Sequence, residues 1–115
     1  MSTSYLIVAA VTVAVNTAAA VADFVRAKFV LANAAELDLP AFSILPLGVL
    51  KLAGASGLAL GMAGIEAVGI AAAVGLVLFF VGAVGIHVWK SVYHNIGYPG
   101  ACLVLAGATL ALSFS

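Results

Sequence analysis

The chain has 115 residues, of which 66% are hydrophobic and only 7% charged, with a formal net charge of zero. So few charges cannot clothe a water-soluble domain, and there is no basic face with which to hold nucleic acid. What remains is a small membrane protein, in which the place of each polar residue carries information.

Four apolar blocks, Tyr5–Val25, Phe42–Met62, Ala67–Val88 and Tyr98–Phe114, predict an all-α fold of four transmembrane helices in an antiparallel bundle. Each approaches the ~20 residues that a helix rising 1.5 Å per residue needs to cross ~30 Å of hydrocarbon. The fourth is shortest, about 17 residues, and is expected to stand upright or lie inside the bundle. Residues 1–115 then form a single domain with no soluble catalytic module.

The opening Met1-Ser2-Thr3-Ser4 has no basic residue, so the first block is expected to stay as a span and not to be removed as a signal. It carries Asn16 and Thr17 and runs into Asp23, Arg26 and Lys28. The mixed stretch from Phe29 to Pro40 reads as a continuation of the first helix or as an interfacial segment. It should break near Leu39, because the residue before a proline disfavours helix.

The second span has Pro46 near its start, fitting a first helical turn or kinking a helix begun at Phe42. Gly48, Gly54, Gly57 and Gly61 follow. The short hairpin from Gly61 to Glu66 makes the second and third helices antiparallel neighbours, and Glu66 suits the positive end of the third helix dipole. Small residues three or four apart allow helices to approach closely in lipid, so Gly54, Gly57, Gly61, Gly75 and Gly82 are expected to pack helices.

Lys51 is the anomaly. A lysine near mid-membrane costs ~2.5–3.5 kcal/mol on insertion scales and usually faces the bundle interior or a wet cavity. If the helix effectively begins at Pro46, Lys51 is only ~8 Å deep and its stem can instead lift the ammonium to the interface. Depth along the antiparallel helices puts Asn16 level with Lys51, and Asp23 and His87 nearer the same surface. Asn16, Asp23, Lys51 and His87 are therefore the candidate lining of a ligand cavity, with a Lys51–Asp23 pair the cheapest arrangement. Trp89, Tyr93, His94 and Tyr98 lie beyond them, the aromatics matching an interfacial belt.

Catalytic chemistry is not legible. No nucleophile, base and orienting group occur together, and the acids are too sparse for a carboxylate dyad, so no catalytic residue is assigned and no activity of the chain alone is expected. His87 and His94 are too far apart along a helix to share one metal in the usual one-turn pairing, and no metal site is assigned. Cys102, the single cysteine, has no partner and reads as a small packing residue. The basic residues Arg26, Lys28 and Lys90 all fall in the first and third loops, which places those loops in the cytoplasm and both termini outside.

The chain resembles the DoxX-like family, in its short four-helix actinobacterial form. The resemblance rests on Ala22-Asp23-Phe24-Val25-Arg26-Ala27-Lys28-Phe29, on Leu39-Pro40, and on Leu47 to Leu58 around Lys51. The most telling stretch is Val68 to His87, with its glycine and aromatic spacing and terminal histidine. The resemblance implies a multi-pass protein of the bacterial inner membrane. It also implies a quinone or another redox partner, since founding relatives are linked to thiosulfate:quinone oxidoreductase.

Three readings of function follow. The first is an accessory, redox-complex-associated protein holding a quinone or lipid in an intrabundle cavity near Asp23, Lys51 and His87. The second is a structural or assembly subunit that packs other membrane subunits, or a second copy, through its glycine faces. The third is a small transporter, although the first span offers only Asn16 where small multidrug transporters need an acid.

Overall fold

A computed structural model describes residues 1–114. The helices are α1 (Thr3–Phe24), α2 (Lys28–Glu36), α3 (Ile44–Met62), α4 (Glu66–Trp89) and α5 (Gly97–Leu112), with one 3₁₀ turn at Ala41–Ser43 leading into α3. No strand occurs among the described residues. α1, α4, and α3 together with its leading turn are each long and apolar enough to cross a membrane. The fourth apolar helix, α5, has 16 residues. The architecture is the all-helical membrane bundle that the apolar blocks predict, with helix ends within about two residues of theirs. In the bundle α1 packs on α3, α3 on α4, α4 on α5, and α5 closes back on α1.

Helix ends explain the connections. α1 starts on Ser2, whose hydroxyl accepts from the Tyr5 amide at 3.1 Å. α1, α2, α3 and α4 all end in one kind of reversal, with a left-handed residue just past the last turn: Arg26, Asp38, Gly64 and Ser91. In each, the following amide reaches back to the helix: Ala27 to Ala22, Leu39 to Ala34, Ile65 to Leu60 and Val92 to His87, at 2.9–3.0 Å. Gly64 adopts its φ of 118° freely, whereas Arg26, Asp38 and Ser91 hold φ of 50–56° at a cost of about 1 kcal/mol each. Those three strained turns lie at one end of the bundle.

The reversal at Arg26 decides between the two readings of the stretch from Phe29 to Pro40, against continuation of the first helix. α2 is a separate helix and not a continuation of α1, because a left-handed residue turns the chain out of the α1 axis. The Asp38 reversal ends α2 at Glu36, before Pro40 exerts its effect on Leu39. Pro46 falls in the first turn of α3, where a missing N–H leaves no bond unmade.

The α3–α4 seam is built on glycine. A Cβ on Gly61 would stand 2.5 Å from the Gly69 Cα, one on Gly57 2.6 Å from the Ala72 Cβ, and one on Gly54 2.5 Å from Leu76. At Gly61 the two backbones touch, while at Gly57 and Gly54 side chains of α4 take the space a Cβ would fill, and dispersion along this seam holds the pair together. The other two glycines expected to pack do not. Gly75 and Gly82 have nothing within 4 Å of an added Cβ, because α4 turns its seam residues (Gly69, Ala72, Leu76) toward α3 and these two outward.

The interior is divided. Leu58, Ala73, Leu76, Phe80, Cys102 and Ala106, from α3, α4 and α5, form the apolar core. Cys102 is buried within it, as a small packing residue should be. α1 contributes a polar strip instead: Tyr5, Thr12, Asn16 and Asp23 are its buried residues, alongside Ala9 and Ala20. Their spacing is close to whole turns at 3.6 residues each, which puts them on one face. Thr12 and Thr109 join α1 to α5 at 3.1 Å, each hydroxyl also 2.8 Å from the carbonyl four residues before it.

This division of the glycines is testable by reversible unfolding in mixed micelles. We expect Gly61→Ala to destabilise the protein by about 1–3 kcal/mol through overpacking against the α4 backbone. Gly82→Ala should be neutral, or stabilising by up to about 1 kcal/mol through helix propensity. Equal effects of the two substitutions would contradict the seam described here.

Candidate functional site

Lys51 sits two turns into α3, one turn beyond Gly48. Side chains on a helix tilt toward its N-terminus, so the Lys51 stem climbs toward the end of the bundle where α1 finishes. Gly48 lets α1 come close at that level: a Cβ there would stand 2.9 Å from the Asp23 Cβ and 3.0 Å from the Phe24 ring. The result is an ion pair, Lys51 Nζ to Asp23 Oδ2 at 2.9 Å, with side chains only 14% and 6% exposed. The lysine both climbs toward the surface and is paired, and it does not reach into lipid alone.

The surroundings of the pair are mostly apolar. The Lys51 ammonium lies 5.8 Å from the centroid of the Phe79 ring, which is itself packed edge-on to Phe80. That approach adds a cation–π attraction to the ion pair. On α5, Tyr98 and Cys102 are one turn apart. Sequence placed Tyr98 above the four candidates and read Cys102 as packing, and Tyr98 is half-exposed while Cys102 is buried.

The two remaining candidates lie at other levels. Asn16 is two turns deeper than Asp23 on the same face of α1, about 10 Å along the axis. Its amide donates to the Thr12 carbonyl at 2.9 Å, and its Oδ1 is buried without a partner. His87 lies toward the loop end of α4, beyond the level of the pair. It is buried, its Nδ1 stands 2.7 Å from the Ala83 carbonyl, and its Nε2 has no partner among the described residues. The four candidates thus share the interior but do not form one contact cluster.

α2 lies over this end. Ala34 and Leu37 are buried, while three polar side-chain links tie this segment to the α4–α5 loop. These are Asn33 with Asn95 at 2.6 Å, Glu36 with His94 at 2.9 Å and Asp38 with Lys90 at 3.3 Å. Exposed ion pairs of this kind contribute little each. Lys90 also rests 4.4 Å from the Trp89 ring centroid. Trp89, Tyr93 and Tyr98 face outward with Phe29 and Phe42, as an aromatic girdle does.

Two clefts stand out among the described residues, and neither is lined by Asn16, Asp23, Lys51 or His87. A small one of about 160 Å³ lies at the opposite end, between Tyr5, Glu66, Ile70 and Ser113. The larger, about 630 Å³, is a lateral apolar groove between α3 and α4. Gly54, Gly57, Ala72 and Gly75 line it together with Leu50, Leu78 and Phe79. Phe79 therefore belongs both to the groove and to the surroundings of Lys51. Among the described residues no group of three His, Cys, Asp or Glu side chains could hold a metal.

The DoxX-like family profile matches residues 7–109, which takes in every part of this site. The chain is a member of the DoxX-like family. Membership and the three long apolar helices make it a membrane protein. No curated protein matches the chain, and no solved structure matches it.

The ion pair can be probed through its own logic. Removing one partner leaves a buried charge uncompensated, so Lys51→Leu or Asp23→Leu alone should cost about 3–5 kcal/mol. The double substitution Asp23→Leu with Lys51→Met should recover most of that loss. A double-mutant cycle in micelles measures the coupling, and strict additivity would show that the two side chains do not interact.

Proposed function

We propose that this DoxX-like protein is a non-enzymatic membrane protein that holds an amphiphile, a quinone or a lipid. Its polar head would lie at the Asp23–Lys51 end of the bundle and its apolar tail in the α3–α4 groove. The observation that carries this reading is the shared Phe79, which joins a buried ion pair to a lateral groove open to hydrocarbon chains. The aromatic girdle and the cations Arg26, Lys28 and Lys90 support reading this end as lying at a membrane surface, on the cytoplasmic side of a bacterial inner membrane by the positive-inside rule. Both termini then lie outside, and the short α5 completes four spans.

Extraction of protein purified in native lipid discs tests the reading. Mass spectrometry should release one quinone or lipid per chain, and Lys51→Leu should reduce the amount retained. Gly75→Leu should reduce it too, by filling the groove at a position where the fold has room. A protein that carries no stoichiometric amphiphile, or retains it unchanged in both variants, overturns the reading.

A second reading, an assembly subunit, draws on the outward glycines of α4. Gly75, Gly82 and Gly85 meet no neighbour within the chain. Small residues on an outer face suit close contact with another membrane helix. A constant partner on gentle purification, lost in Gly82→Leu with the amphiphile still bound, would favour this reading over the first.

A further inference from the structure

His87 is a buried titratable group that the ion pair leaves unused. Its Nδ1 lies 2.7 Å from the Ala83 carbonyl, and a carbonyl can only accept, so Nδ1 carries the proton. The acids of the chain are engaged elsewhere. The chain has four. Asp23 is committed to Lys51, Glu36 to His94 and Asp38 to Lys90, while Glu66 begins α4 at the far end. No carboxylate is therefore paired with His87. With Nδ1 donating to that carbonyl, Nε2 is the ring's acceptor, buried and without a partner among the described residues.

We infer that the polar head held by this protein is a hydrogen-bond donor, a hydroxyl that His87 Nε2 accepts. The inference rests on the amphiphile reading above and narrows its ligand class. A bare acceptor in a low-dielectric interior discriminates sharply, because a head that offers only carbonyl or ester oxygens sets lone pair against lone pair. The dihydroxy, reduced form of a quinone satisfies it, and so does a glycerolipid with a free hydroxyl. An oxidised quinone and a fully esterified glycerolipid do not.

The test uses the full chain in phosphatidylcholine discs, whose lipid carries no hydroxyl. The ring nitrogens are ¹⁵N-labelled, and a His94→Gln sample assigns the two histidines. The His87 Nε2 signal should lie in the bare-nitrogen range and move toward the hydrogen-bonded range on adding ligand. Probes are a short-tailed benzoquinone, oxidised or chemically reduced, and a diacylglycerol against the corresponding triacylglycerol. The hydroxyl-bearing member of a pair should bind about tenfold more tightly, and which pair responds identifies the source of the hydroxyl.

His87→Leu should abolish that preference while the weaker binding of the non-hydroxyl form persists, and His87→Gln should restore part of it. Equal binding of both members of each pair overturns this inference alone. A preference that survives in His87→Leu, or a protonated Nε2 in the free protein, does the same. Failure of every probe to bind overturns the amphiphile reading itself, and this inference with it.

Discussion

A lysine ammonium placed two turns inside an apolar helix must find an opposite charge, and the upper half of the bundle is arranged to meet that demand. Hydrocarbon supplies neither water nor counterions, so the desolvation cost of Lys51 is offset only by a partner at hydrogen-bond distance. Asp23 provides it from α1, and Gly48 removes the side chain that would hold α1 away. The last turn of α1 is fixed at the level of the first turns of α3. From there the Arg26 reversal, the separate α2 and its fastening to the α4–α5 loop follow in sequence. The opposite half has no such constraint, and there contact of the Gly61 and Gly69 backbones sets the helix spacing.

The interior is correspondingly asymmetric. α3, α4 and α5 present Leu58, Leu76 and Phe80, while α1 presents Tyr5, Thr12, Asn16 and Asp23. In water such an arrangement would be inside out. In a membrane it is economical, because polar groups find partners only within the bundle while Leu and Val face lipid at no loss. Features that cost stability without an evident structural return gather at one end: three left-handed non-glycine turns, an ion pair and a histidine nitrogen without a donor. Strain gathered at one end, with unmet polarity at His87 there and at Asn16 deeper in the bundle, points to a site. The family supplies the membrane setting, and these residues supply the chemistry by which a ligand can be sought.

Much of the fold was written in composition and spacing. Apolar blocks of membrane length fix the long helices, because backbone polar groups in lipid must bond within their own segment. A connection as short as Gly61 to Glu66 fixes α3 and α4 as antiparallel neighbours. Even the Lys51–Asp23 pair was within reach, since depth along antiparallel helices and the cost of a lone cation leave few alternatives. The polar face of α1 was equally legible from the near-integral turns between Tyr5, Thr12, Asn16 and Asp23, although Thr109 as the partner of Thr12 was not.

What depended on tertiary structure was rotation about helix axes and the path of the loops. Sequence spacing treats Gly57 and Gly75 alike, but only the angular setting of α4 against α3 turns one into the seam and the other outward. The same rotation places the open groove beside the bundle interior, with Phe79 between them, while Asn16 and His87 stand apart from the ion pair in depth. The reversal at Arg26 was hidden because an arginine in a left-handed conformation opposes local preference, and contacts elsewhere must hold it there. The sequence by itself determined how many helices form, how long they are and which polar residues had to seek company. The packed chain alone decided which of them met, because a turn of a few tens of degrees about a helix axis changes a residue's neighbours without altering its position along the chain.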